Sequence, residues 1–146
     1  MSFFDAMNIA ASGLSAEQTR MTVTSENLAN AETTEGANGA PYRRQMVVLQ
    51  PVGGGFATTL ADAMGSSGTT PGGVEVAGIV NDPTPDQLEY DPGNPQANKQ
   101  GYVQMPNVQP VTEMVDMIDE SNSYQDDVTA MQTAKTMYSA TLGLLK

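Results

Sequence analysis

A chain of 146 residues accommodates one domain, or one helical domain with a small insert. Seventeen acids stand against six scattered bases (Arg20, Arg43, Arg44, Lys99, Lys135, Lys146), so the net charge is −11 and no basic patch exists to follow a phosphate backbone, which excludes nucleic-acid binding. The absence of cysteine and histidine excludes disulfides, zinc–thiolate sites, a thiol nucleophile and the usual general base.

The first element is a helix. Ser2 can cap it, and Asp5 three residues later completes a capping-box pattern. Met7, Leu14, Met21 and Leu28 fall seven apart, with Ile9, Ala16 and Val23 as a second row beside them. The pattern runs to about Ala31. Gly13 is its weak point, since a mid-helix glycine costs up to about 1 kcal/mol relative to alanine, and it predicts a kink or a separate short first helix. The opening Met-Ser-Phe-Phe-Asp has neither a basic n-region nor an apolar h-region, so no cleaved secretory signal is expected. No apolar run approaches the ~20 residues that span a bilayer.

Residues 32–41 form a loop, with Asn38-Gly39 as a turn signal. A strand is expected over Tyr42 to Gln50, stopped by Pro51. Gly53-Gly54-Gly55 opens a flexible stretch, Phe56 to Met64 can form one short helical turn, and Gly65 to Gly73 is linker-like. Val74 to Val80 is the best strand candidate. Leu88-Glu89-Tyr90 and Tyr102-Val103-Gln104 are expected to pair across the turn-rich Asp91-Pro92-Gly93-Asn94-Pro95. Such a small β element cannot hold its own core and must lean on the helices. Pro110 suits the first position of the helix that follows.

That final helix, Val111 to Lys146, would be about 50 Å long. Met114, Ser121, Val128, Lys135 and Leu142 make one row, and Met117, Tyr124, Met131, Tyr138 and Leu145 the other, in the 3-4 alternation of a heptad. Acids crowd its start (Glu113, Asp116, Asp119, Glu120) and Lys146 ends it, as the helix macrodipole favours. The expected fold is α+β, mainly α: long terminal helices, residues 1–34 and 111–146, paired as an antiparallel coiled coil, with a β-rich insert at 35–110 that carries a flexible linker at 53–73. Intramolecular core is the ordinary reading of such stripes. Their richness in methionine, and the scarcity of large apolar residues, point as well to contacts between subunits. The residues expected at helix–helix or assembly contacts are Met7, Leu14, Met21, Leu28, Met114, Met117, Ile118, Tyr124, Val128, Met131, Tyr138 and Leu142.

Chemistry is sparse. Asp82, Asp86, Glu89 and Asp91 form the densest local carboxylate group of the insert, but they lack the spacing of a calcium loop and read as a solvated surface. Asp126-Asp127 reads as a solvated helical face, and the glycine clusters have no phosphate-cradling pattern with a downstream lysine. No catalytic residue, metal site or cofactor is expected.

Particular residues then go beyond periodicity. Ser12-Gly13-Leu14-Ser15-Ala16, followed by Asn27-Leu28-Ala29-Asn30-Ala31-Glu32-Thr33-Thr34, resembles the N-terminal signature of bacterial flagellar rod and hook proteins. The aromatic–basic pair of that signature is here Tyr42-Arg43-Arg44, delayed by Glu35 to Pro41. The stretch from Met105-Pro106-Asn107-Val108-Gln109-Pro110 through Glu113 to Ile118 is similar to proximal-rod members of the family. The positions that carry the resemblance are Asn27, Ala29, Asn30, Thr33, Tyr42, Arg43, Pro106, Asn107, Pro110 and Glu113.

The resemblance implies a structural subunit of the basal-body proximal rod that transmits motor torque. Its terminal helices would pair, and copies would stack helically around a central export channel. Its partners would be other copies, other proximal and distal rod proteins, the export-gate adaptor and the flagellar type III export apparatus. That apparatus would deliver it, unprocessed, to the periplasm, where a chain without cysteine is at home. In the family the termini stay poorly ordered until assembly. Asn27, Asn30 and Thr33 would terminate the first helix. Tyr42-Arg43-Arg44 would be either an intersubunit contact or a strand start with solvated charges. The chain departs from the family pattern at Asn122, Asp126 and Asp127, and Lys135 at a heptad core position calls for an acid on a neighbouring helix, Glu17 or Glu26 or an acid of another subunit. The alternatives are a soluble helical binding module or export chaperone engaging partner helices, and a glycan-cleaving enzyme, for which the chain offers no obvious carboxylate pair.

Overall fold

The computed structural model describes residues 3–36, 39–52 and 72–143. The expected turn at Phe56 to Met64, the Ser2 cap, Leu145 and most of the linker lie outside the described residues.

Helix α1 spans Phe3–Ala29 and helix α2 spans Pro110–Gly143. Between them lie β1 (Gln45–Pro51), β2 (Val74–Asn81), β3 (Gln87–Tyr90) and β4 (Tyr102–Met105). Pro110 is the first residue of α2, and the Glu113 amide donates to the Gln109 carbonyl at 3.0 Å. The helices lie side by side and touch in opposite chain order. Asn27 meets Glu113, Thr24 meets Glu120, Gly13 faces Asp127, and the Phe4 and Tyr138 rings stand 6.4 Å apart.

The separate short first helix that Gly13 allowed does not form, and α1 is continuous through it. Glycine is there for space: a Cβ at this position would lie 2.5 Å from an Asp127 carboxylate oxygen. The propensity cost is offset because a side chain here would have to displace the Asp127 carboxylate.

The strands make two separate antiparallel ladders, β1–β2 and β3–β4. In the first, Met46 opposes Val80 and Gln50 opposes Glu75, with a register shift after Val48. Both of its strands pack on α1. In the second, Tyr90 opposes Tyr102, and their rings meet edge-on with centroids 5.3 Å apart. β1 begins three residues later than the sequence predicts. The Tyr42 amide donates to the Thr33 carbonyl and the Arg44 amide to Asn107 Oδ1, so these groups are spent on loops rather than on the ladder.

The core is small and contains polar side chains. Ala16, Val23, Val103, Pro106 and Val108 are buried, together with Thr24, Asn27, Asn107, Glu113 and Glu120. On α2 the inward residues Glu113, Glu120 and Asp127 are spaced by seven, and Met117, Tyr124 and Met131 are half-buried beside them. One predicted row is therefore inside. The other is turned by one residue, so that acids rather than Met114 and Ser121 face α1. Lys135 is exposed, and among the described residues no ion pair joins it to Glu17 or Glu26, so the pairing expected for a buried lysine is not needed.

Candidate assembly interface

The site is built around Asn27, in the last turns of α1 and 1% exposed. Its amide donates to the Gln45 carbonyl at 2.9 Å and to Glu113 Oε2 at 3.0 Å. Its carbonyl accepts from the Tyr42 hydroxyl and from the Gln45 amide, each at 2.9 Å. Both donors and both acceptor positions are used, so one side chain ties α1, the loop, β1 and α2 together. A helix-terminating role alone does not describe it. Asn30 and Thr33 do terminate α1: Asn30 Nδ2 donates to the Glu26 carbonyl at 2.8 Å, and the Thr33 amide donates to the Asn30 carbonyl at 3.0 Å. Ala29, just before Asn30, is exposed.

Arg44 extends the junction. Its Nε lies 2.5 Å from Glu113 Oε1, its Nη2 3.3 Å from Asp116 and its Nη1 3.6 Å from Asp82. Burial alone would lower its pKa, but the hydrogen bond to Glu113 and the charges of Glu113, Asp116 and Asp82 raise it. Burial, with the charges of Glu26 and Glu113, likewise raises the Tyr42 hydroxyl. Asp82 is held below the usual carboxylate range, first by hydrogen bonds from the Thr84 hydroxyl and amide and then by Arg44. Asn107 closes the ring, accepting from the Arg44 amide at 2.8 Å and donating to the Thr84 hydroxyl at 3.1 Å. Arg43 is exposed and stands 3.6 Å from Asp86. The Tyr-Arg-Arg run is thus mostly an internal clamp within the chain.

Glu120, 4% exposed, accepts from the Thr24 hydroxyl at 3.0 Å and lies 3.5 Å from Arg20 Nε. Burial pushes its carboxyl above the ordinary range, against the opposing pull of Thr24 and Arg20. An open cleft of about 160 Å³ runs between α1, β1 and α2 here, lined in part by Arg20, Thr24, Arg44 and Asp116. At the other end of α1, the Ser12 hydroxyl donates to the Ile9 carbonyl at 2.7 Å and accepts from the Val74 amide at 3.1 Å. Gly73, at φ +101°, lets the chain pass over that hydroxyl to start β2.

Of the residues expected at helix contacts, Met7, Leu14, Met21, Leu28, Met117, Tyr124, Val128 and Met131 are half-buried. Met114, Ile118, Tyr138 and Leu142 are exposed. Of these, Met114 and Ile118 with Val111 and Val115 leave the first turns of α2 an apolar outer face, Tyr138 stands against Phe4 of α1, and Val48, Leu49, Ile79 and Val80 are exposed on the two sides of the first ladder. Sequence reasoning missed Ser12, Arg44, Asp82, Thr84 and Glu120 as structural groups. The available signal was that Glu113, Glu120 and Asp127 repeat by seven. Among the described residues no cluster of three or more acids is placed to hold a metal ion, and no helix is long and apolar enough to cross a membrane.

Two family models match this chain. One, described as the flagella basal body rod protein, covers residues 7–37, and the other, the C-terminal region of the flagellar basal body rod FlgEFG proteins, covers residues 99–144. The flagellar basal-body rod protein FlgC of Bacillus subtilis is 46% identical over 141 residues, covering 94% of each chain. Its counterpart in Yersinia enterocolitica is 42% identical over 99% of this chain and 98% of its own. That of Borreliella burgdorferi is 36% identical over 100% of this chain and 99% of its own.

Proposed function

The chain belongs to the FlgC group of flagellar basal-body rod proteins, and on that footing we propose that it is a structural, non-catalytic subunit of the proximal rod whose copies join a helical stack around the export channel and transmit motor torque. Its place is the flagellar basal body. Residues 1–34 and 111–146 are the assembly core, paired as an antiparallel coiled coil, and residues 35–110 are the insert carried on it. The chain reaches the periplasmic rod through the flagellar type III apparatus. There it meets other copies, other proximal and distal rod proteins and the export-gate adaptor.

The observation that carries this reading is the split of α2 into two faces. The inner face is held to α1 by polar bonds through Asn27, Thr24 and Arg20, and the outer face keeps large apolar residues in solvent. A free-standing domain would bury that apolar area, at about 25 cal/mol per Å². A subunit keeps it for its neighbours.

The experiment is to delete the gene in its own organism and to isolate basal bodies with and without it. Basal bodies lacking a rod in the deletion strain, together with this chain in the purified wild-type particle, are the expected result. A complete rod without the chain would sink the proposal.

A further inference from the structure

Among the described residues, the seam between α1 and α2 buries two carboxyl groups, Glu113 and Glu120, and meets their charges unequally. Glu113 has both oxygens engaged, Oε1 by Arg44 Nε at 2.5 Å and Oε2 by the Asn27 amide at 3.0 Å. Glu120 Oε1 accepts one bond from a neutral group, the Thr24 hydroxyl at 3.0 Å, while Oε2 is buried with no hydrogen-bond partner among the described residues. Arg20, the cation beside it, is shared. Its Nη1 makes two bonds to Glu17, at 3.0 and 3.1 Å, and its Nε stops 3.5 Å from Glu120, too long for a hydrogen bond.

The other charged groups that face Glu120 are Glu17 of α1, Arg44 at the entry to β1, and Glu113 and Asp116 of α2, with Tyr124 one turn further along. Arg44 is taken by Asp82, Glu113 and Asp116. A carboxylate placed like Glu120 loses more solvation than its partners return, and the neutral acid loses far less. Burial accordingly pushes the group up, Thr24 and Arg20 pull it down, and Glu17 and Asp116 push with burial.

The seam also changes character at this residue. Before it, Asn27 and Arg44 lock the start of α2. After it, among the described residues, no hydrogen bond or ion pair joins residues 121–137 of α2 to α1, and the contact is the Asp127 carboxylate against Gly13 with half-buried Tyr124, Val128 and Met131. Glu120 is the last polar tie before a stretch held by packing. The open cleft of about 160 Å³ beside it gives solvent a way in.

We propose that Glu120 is a proton-operated clasp on the helix pair: neutral, it holds α2 against α1, and ionised, it lets α2 beyond it draw away from α1 while the Asn27–Glu113–Arg44 junction stays shut. The proton is exchanged with solvent through the cleft, and opening brings water to Oε2. Opening therefore grows as pH rises from the ordinary carboxylate range to the raised value of the closed state. The proposal does not rest on the rod-subunit reading.

The test follows amide hydrogen exchange in the full chain, residue by residue, between about pH 4 and about pH 8, at one fixed concentration and with intrinsic exchange divided out. Amides 121–134 are expected to lose protection about fivefold or more relative to amides 114–118 as Glu120 ionises, which NMR of its side-chain carboxyl carbon reports. In Glu120→Gln the ratio should stay flat. Arg20→Gln serves independently should that variant misfold: without the cation, the Glu120 midpoint moves up and the loss of protection grows. A flat ratio in the wild type overturns the proposal. So does a pH-dependent ratio that survives in folded Glu120→Gln, which would place the proton elsewhere. Equal loss over both stretches would mean opening of the whole pair and also overturns it, as does a midpoint unmoved in Arg20→Gln.

Discussion

Replacing Asn27 by alanine tests the polar junction directly. The side chain makes four hydrogen bonds, three to neutral partners and one to the Glu113 carboxylate. A net bond to a neutral partner contributes about 1 kcal/mol and one to a charged partner about 2 kcal/mol, while a buried partner left unmet costs more. The neighbouring cleft can admit water to part of the vacated site, so Asn27→Ala is expected to cost about 4 kcal/mol. For a chain of this size that lowers the melting temperature by about 10 °C. Asn30→Ala, in the same motif, removes a solvent-exposed helix-end bond and a long 3.3 Å bond from the Thr33 hydroxyl, and should cost about 1 kcal/mol. Asn27→Asp keeps the size but loses both donors and adds a charge beside Glu113, so it should be at least as damaging as alanine. The assay is urea denaturation followed by helical circular dichroism at one fixed protein concentration, because assembly would otherwise shift the midpoint. Asn27→Ala within about 1 kcal/mol of Asn30→Ala would refute the reasoning.

Other consequences follow from the same packing. Gly13→Ala alone should be close to neutral, because its helix-propensity gain of about 1 kcal/mol is offset by displacing the Asp127 carboxylate. In an Asp127→Ala background the same change should recover that gain, and a double-mutant cycle by thermal melting reads the difference. Arg44→Lys should cost about 2 kcal/mol in the same denaturation assay, since a point charge cannot serve Glu113, Asp116 and Asp82 together. For Glu120 the sign is set by burial. Its folded pKa lies above its unfolded one, so the folded chain binds the proton more tightly, and stability falls as pH rises from the ordinary carboxylate range through the raised value. Asp82 acts oppositely, its stabilisation being present above the ordinary range and lost as pH falls. Glu120→Gln isolates the first effect: at neutral pH it should match or exceed wild type by about 1 kcal/mol, with the gap closing in acid, as melting curves across pH would read. A gap that widens in acid would contradict the burial argument.

The two long helices, the strand pairing of Leu88–Tyr90 with Tyr102–Gln104 and the place of Pro110 were all legible in the chain, because each depends on local period, turn residues or a single backbone constraint. The family motif was legible too, as a string of residues. Its physical meaning was not. Ser12 matters because Val74, far along the chain, needs an acceptor, and Gly13 because the Asp127 carboxylate of α2 lies against it. Heptad counting placed Met117, Tyr124 and Met131 in a contact row, yet it accounted for Glu113 and Glu120 only through the helix macrodipole and left them out of both rows. A carboxylate reads as exposed until its partners are known, and Asn27, Arg44, Thr24 and Arg20 come from other elements of the chain. Local sequence thus determined where helices and strands form. Only the tertiary structure decided which way α2 is turned, because long-range pairing of buried charge, not hydrophobic period, sets that rotation and leaves Val111, Val115 and Ile118 facing outward.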